Sequence, residues 1–475
     1  MNDPNHKFVN KFLQTNPMGL SRRDFLKMAS LTAAATGVTL AGVGCTPEAP
    51  VSTESPVLPT VPASPEGLTF KGTLDAWDWE FPVREAIVKD YNAAWEKEHP
   101  DIKINYLVLP WADIETKILA VATTGNPPPI SDVFGFWRYD LQRADVILPF
   151  PKDFADWDDR LSTPFAKDDQ GNIRAFPSGW FVDMIFYNKE IFEKEGLKTS
   201  DIPRKWEDFI KLAQQLTQID SAGKITRAGC AMNDYWQHEY LWQDLIYQQA
   251  GWMYNEDGTK ALWEEEPSVA ALQFIQDWYH KHKIDSRELP EGYGGFCNDM
   301  AAMFIGSGWN IGYFMNDFPQ MEGRYDTVIL PTFNGESTPA IGMATMEENF
   351  QALAKFPDET IAASFEWIKG LMTGEDQYLA WTKAQSTVPD SKKMLSNPAI
   401  LEIPGVKAQA DSMPYRVCFG ERPIEAEKLW RTMFDQVILE QKDVRSALKE
   451  ATEGIDPILP TKKRFITERN YKPAS

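Results

Sequence analysis

The sequence predicts an α/β fold built on a largely parallel sheet, on three observations. Apolar periodicity alternates between strand and helix over residues 70–136, in the order β-α-β-α-β. That order needs crossovers, which lay helices on the sheet faces. A further strand–turn–helix unit stands at residues 176–197, FPSGWFVDMIFYNKEIFEKEGL. The chain of 475 residues is long enough for one large core or two medium ones.

The N-terminus reads as targeting rather than fold. Residues 21–27, SRRDFLK, match the twin-arginine export pattern S-R-R-x-F-L-K, with Arg22 and Arg23 as the pair. Residues 28–44 follow without a charge and are rich in Ala, Thr and Gly, as a weak signal-peptide core is. Cys45 ends that core and resembles a lipoprotein acceptor thiol, although Gly42 stands where Leu is preferred; cleavage nearby with a free thiol is the other reading. Residues 46–66 are dominated by Pro, Ser, Thr and Glu, with no aromatic residue. Such a stretch cannot bury enough surface to fold, and a spacer or a disordered tail both fit it. The expected division is therefore a signal at 1–44, an anchored linker at 45–67, and a folded part from about 68.

Residues 70–79 read as the first strand, ending at Trp77-Asp78-Trp79-Glu80. Val83, Ile87, Val88, Tyr91 and Trp95 recur at helical spacing over 83–99. A strand at 102–109 follows, then a helix at 111–124 with Ile114, Ile118, Val121 and Ala122 on one face and Gly125 as its stop. A short strand at 131–136 completes the unit. Ligands of parallel sheets sit outside the carboxyl ends of the strands, which selects residues 77–80 and 136–138 as rim positions. In the second unit Asn188 can cap a short helix, Glu190 suits its first turn, and Gly196 suits its end.

Charge and motifs narrow the function. The formal charge is −21; residues 1–44 carry five Lys/Arg and two Asp/Glu, so without them it is −21 − 3 = −24. So acidic a surface argues against nucleic acid and against a broad grip on anionic lipid. No HExxH, GxSxG, Walker or GxGxxG pattern occurs. His280 and His282 are two apart on a helix, on different faces, and His99 and His238 stand alone, so no metal site is expected. Cys230, Cys297 and Cys418 form no CxxC and read as buried apolar residues, with one disulfide left open. No cofactor is indicated. A carboxylate pair for glycoside hydrolysis is left open by the many acidic residues.

What remains is aromatic: the chain has 17 Trp. Sugar rings offer flat C–H faces to Trp or Tyr and a hydroxyl edge to Asp, Glu, Asn or Arg. Trp206, Trp367 and Trp430 fall inside helical patterns and read as core. Trp79, Trp137, Trp180, Trp236 and Trp309 fall at strand ends or loops, where a cleft is the better reading; Trp309 follows the small residues Gly306-Ser307-Gly308.

Several stretches, taken in order, resemble the extracellular solute-binding proteins of ABC importers, in the branch that includes maltose-binding protein. The wording of residues 176–197, a Pro followed by YNK-x(2)-F-x(3)-GL, resembles the family's first lobe-crossing segment. Residues 90–105, 117–133 and 203–209 resemble further family passages, with Pro127-Pro128-Pro129 and Lys205 as departures. Ala302-Met303 stands at the family's spacing before a pocket Trp, here Trp309, and residues 363–389 resemble its closing helix and loop. The resemblance implies a periplasmic-binding-protein-like fold: two α/β lobes, a hinge and a central ligand cleft. Lobe 1 would be 68–180 plus 341–388 and lobe 2 would be 181–340 plus 389–465, with 466–475 a tail and crossings near 177–185, 336–344 and 384–390. It implies ligand contacts at Trp79, Glu80, Trp137, Asp183, Trp236, Trp309 and Arg416, beside Trp180, which its place at a strand end selects. It further implies capture of a carbohydrate outside the cytoplasmic membrane and delivery to an ABC permease, with the membrane reached through a lipid on Cys45. Other solutes, such as glycerol phosphate or a polyamine, and an exported glycosidase are the alternatives.

Overall fold

The computed structural model describes residues 68–462 and 467, apart from 126, 136, 137, 164, 165, 169, 334, 336–342, 347, 348 and 419, and without the side chains at 112, 115, 123, 343–346 and 349. Arg22, Arg23 and Cys45 lie outside the described residues. Contacts divide the chain at residue 57, and all the described residues belong to the unit that follows.

The described strands are β1 (Gly72–Trp79), β2 (Ile102–Leu109), β3 (Ile130–Val133), β4 (Gly179–Asn188), β5 (Gln218–Ile219) and β6 (Ile225–Ala231). They continue with β7 (Ala301–Ser307), β8 (Tyr325–Ile329), β9 (Met343–Met346), β10 (Asn349–Ala352), β11 (Val388–Pro389) and β12 (Val417–Cys418). They form two sheets. The first has the order β10-β3-β1-β2. Here β1 runs parallel to β2, from Gly72 opposite Ile102 to Trp79 opposite Leu109, and parallel to β3 on its other side. Only the edge strand β10 is antiparallel. The crossovers of this sheet carry helices Pro82–Glu98 and Trp111–Thr124.

The second sheet is mixed and turns on β4. The start of β4 pairs antiparallel with β9 and β11: Trp180 lies opposite Met346 and Val388. Its remainder, from Asp183 onward, is flanked by β7 and β8. One strand thus exchanges one set of neighbours for another half-way along, which is how a single chain joins two lobes. All ten residues of β4 are buried. After it Asn188 caps helix Lys189–Lys194, its Oδ1 accepting from the N–H groups of Glu190 at 3.0 Å and Ile191 at 3.1 Å. Gly196 takes φ 71°, the left-handed conformation that ends such a helix.

Each lobe has its own core. One joins Leu74, Val88, Trp95, Ile102, Phe176, Phe350, Trp367 and Trp381. The other joins Ile185, Trp206, Trp242, Trp263, Trp278, Met303 and Trp430. Trp206, Trp367 and Trp430 are at most 1% exposed, as their helical spacing predicts. Trp367 donates to Asn92 Oδ1 at 2.8 Å, and Tyr91 donates to the Trp367 carbonyl at 2.9 Å, so helix Pro82–Glu98 is bolted to helix Asp358–Thr373. Helix Pro82–Glu98 also buries Arg84, a position that apolar spacing does not select. Arg84 reaches Asp78 and, at 3.0 Å, Asp132, the two carboxylates coming from β1 and β3. A guanidinium is tolerated at such depth because carboxylates from two strands meet its charge.

Candidate functional site

The carboxyl ends of the parallel strands converge on one cavity of about 190 Å³. From that side come Trp79, the last residue of β1, Phe81 just beyond it, Trp111 after β2 and Phe134 after β3. Trp111 meets Trp79 edge-on at 4.8 Å and Phe134 edge-on at 5.1 Å. Behind Trp79 the Arg84 guanidinium lies 4.4 Å from the ring centre, so the indole is clamped from its outer face.

The facing wall comes from two helices. Helix Tyr235–Gln248 starts with a capping box: Asp234 accepts from Trp236 N–H at 2.8 Å, and Gln237 accepts from Asp234 N–H at 3.0 Å. This fixes the first turn and presents Trp236 and, four residues on, Tyr240 to the cavity. Helix Trp309–Asp317 presents Trp309 and Tyr313 by the same spacing. At Gly308 before it, a Cβ would sit 2.7 Å from the backbone carbonyl oxygen of Ser386 and 2.6 Å from Gln409 Nε2, so the position has no room for a side chain. Phe181 of β4 and Gln385, at the end of helix Glu375–Gln385, complete the lining. Ring contacts cross between the walls, among them Phe81 to Tyr313 at 4.9 Å and Trp111 to Trp236 at 6.4 Å.

The chemistry of this lining is narrow. Among the described residues, nine of the ten that line it are aromatic, and none is charged. It can stack flat apolar faces and offer a few neutral hydrogen-bonding groups. Among the described residues no group of three His, Cys, Asp or Glu is placed to hold a metal ion. His238 is buried and shares a 2.8 Å hydrogen bond with Tyr279, and burial pushes its pKa down to about 3. Cys230, Cys297 and Cys418 are free and buried.

The sequence profile of the bacterial extracellular solute-binding protein family matches residues 81–347. The chain belongs to that family. A lactose-binding protein of Rhizobium radiobacter is 22% identical over 284 residues, covering 57% of this chain and 64% of the relative. Across the first relatives found, this solute-binding chain spans about half to two thirds of their own length. Among solved structures, the GacH receptor of Streptomyces glaucescens, known unliganded and with acarbose, superposes with a TM-score of 0.68 at 18% identity, over 83% of this chain and 100% of that one. UgpB of Mycobacterium tuberculosis, in complex with glycerophosphocholine, also gives 0.68, at 14% identity and the same coverage. These likenesses establish the maltose-binding-like fold: two α/β lobes with a hinge and a central cleft.

Of the positions expected to touch ligand in this solute-binding protein, Trp79, Trp236 and Trp309 stand together on the cavity. Trp137 lies outside the described residues. Glu80 is exposed just past β1 and is not on the lining. Three others are elsewhere, each for a packing reason. Trp180 is fully buried, its Nε1 donating to Asp390 Oδ1 at 2.8 Å. Arg416 is 6% exposed, donates to the Met413 carbonyl at 2.8 Å and lies 5.2 Å from the Trp180 ring. Asp183 is buried behind the wall, bonded by the Ser307 hydroxyl. Burial pushes its pKa up to about 6, against bonds from Ser307 and Asp244 that favour the ionised form.

Sequence reasoning missed Phe81, Trp111, Phe134, Phe181, Tyr240, Tyr313 and Gln385. The strand-end rule that finds Trp79 also finds Trp111, directly after the strand at 102–109. Tyr240 and Tyr313 are each one helical turn beyond a Trp that was found. Gln385 carries no such signal.

Proposed function

We propose that this protein captures a carbohydrate outside the cytoplasmic membrane and delivers it to an ABC permease. The observation that carries the reading is the aromatic cavity at the strand ends, walled from both lobes. Stacked indoles and phenols suit the C–H faces of sugar rings, while Gln385 and the tyrosine hydroxyls offer hydrogen bonds to the rim. A phosphate or a polyamine would meet no counter-charge among the described lining residues. The cavity volume favours one ring held inside, with any further rings continuing along the cleft.

Within this reading the lobes are 68–180 with 341–388 and 181–340 with 389–465. Arg22 and Arg23 direct export by the twin-arginine route, Cys45 carries the lipid, and residues 46–67 are the tether. Calorimetric titration of the purified protein with glucose, galactose, lactose, maltose, melibiose and raffinose tests the binding. Heat from at least one sugar at one site per chain is expected, and silence across the set overturns the carbohydrate reading. An aryl-glycoside panel separates binding from hydrolysis: released aryl alcohol would make the protein a glycosidase.

A further inference from the structure

Away from the cavity, a chain of charged side chains passes from one lobe to the other. Helix Arg138–Arg143 belongs with the first sheet, since its Leu141 packs with Trp79 and Val133. Arg143 holds Asp140 at 2.5 Å and places both terminal nitrogens on Glu421, with Nη1 to Oε2 at 2.8 Å. Glu421 belongs to the opposite lobe: it borders Tyr247, Met253 and Trp430, and its side chain is 1% exposed. Lys462 makes a second crossing, 3.7 Å from Asp140 and 3.3 Å from Glu425.

We infer that these five residues form an electrostatic latch that holds the lobes together in the absence of ligand. A two-pronged guanidinium–carboxylate contact is the strongest and most directional ion pair available to side chains. Here it joins two bodies that can part, so breaking it by opening returns both charges to water. Breaking it by substitution instead removes the Arg143 guanidinium from the buried Glu421, which drives the equilibrium toward the open state. The latch is also wired to the cavity. Arg422, the next residue, donates to Glu239 at 2.8 Å and lies 5.5 Å from the ring of Trp236 on the cavity wall. Two consecutive residues thus grip the opposite lobe and the helix that carries Trp236. A ligand entering a protein already biased toward closure needs less differential affinity to complete it. The latch therefore raises affinity and slows entry.

Small-angle scattering of ligand-free protein tests this, and because no solute is added, the result is independent of the carbohydrate reading. The wild type should give the smallest radius of gyration of the set. Arg143→Glu, which faces Glu421 with a like charge, should give a larger radius. Arg143→Glu combined with Glu421→Arg should return it toward the wild-type value. Glu421→Gln keeps the shape of the side chain and guards against a misfolded reversal; it should shift the closed-to-open ratio by about tenfold. A wild type that is already as large as the variants, or variants with the wild-type radius, overturns the latch.

Discussion

The indole Nε1 of Trp180 donates to Asp390 Oδ1 at 2.8 Å, tying the first residues of β4 to the segment that leaves β11. The Ser162 N–H at 2.8 Å and hydroxyl at 2.7 Å bond the same carboxylate. This buried knot lies where β4 exchanges neighbours, so it stiffens the connection between the lobes. Trp180→Phe keeps the ring and removes the donor. Loss of a buried hydrogen bond costs about 1–3 kcal/mol. The variant should melt a few degrees lower, while its sugar affinity in calorimetry stays within about twofold of wild type. An affinity loss as large as that of a cavity Trp would return Trp180 to the ligand site.

Asp390 also makes the knot sensitive to pH. Burial raises its pKa to about 6, against bonds from Ser162 and Trp180 and the charge of Arg160, which favour ionisation. The unfolded chain titrates near 4. Between roughly pH 4 and 6 the folded state therefore holds a proton that the unfolded state has lost. The stabilising contribution is full below about pH 4 and lost as pH rises through 6. Asp183, also raised to about 6, acts in the same direction, whereas His238, lowered to about 3, acts in the opposite one. The single-site effect is therefore read as a difference. Asp390→Asn should gain on the wild type by roughly 2–3 kcal/mol between pH 4 and 7, seen as a widening gap in melting temperature. A gap that stays constant across that range would show that Asp390 does not titrate in it.

Export can be tested without reference to the fold. Replacing Arg22 and Arg23 with Lys should hold the precursor in the cytoplasm, because the translocase reads the guanidinium pair. Cys45→Ala should move the exported protein from the membrane fraction to the soluble one. Normal export of the first variant, or membrane retention of the second, would remove that assignment; cell fractionation with an antibody reads both.

Much of the first sheet is legible in the sequence. The strand at 102–109 and the helix at 111–124 fall at the expected residues, and Gly125 is left-handed with φ 91°. Periodicity works there because each element buries one face. It fails for Arg84, whose partners Asp78 and Asp132 come from two other segments; no local pattern announces a charge that tertiary contacts will satisfy. It fails again along β4, where both faces are covered and the alternation that would separate cleft from core is absent. Trp180, chosen for its place at a strand end, and Asp183, carried over from the family resemblance, are both buried there. The third strand ends at Val133, earlier than expected, so the rim falls on Phe134.

The sharpest distinction lies between two tryptophans. Trp309 is half-buried on the cavity, its ring edge-on to Tyr313 at 5.8 Å. Trp367 is fully buried and hydrogen-bonded to Asn92. A stacked ligand loses roughly 1–3 kcal/mol when an aromatic anchor is removed. At 1.4 kcal/mol per factor of ten, that is about 5- to 150-fold in affinity. A core Trp truncated to Ala instead costs about 3–5 kcal/mol of folding stability. Trp309→Ala should therefore weaken sugar binding in calorimetry while the ligand-free melting temperature falls little. Trp111→Ala should behave in the same way, because its ring stands between Phe134 and the Trp236 of the facing wall. Trp367→Ala should do the reverse, melting early and binding normally where it folds. A Trp309 variant that melts early yet binds like wild type would move that residue from the site to the core.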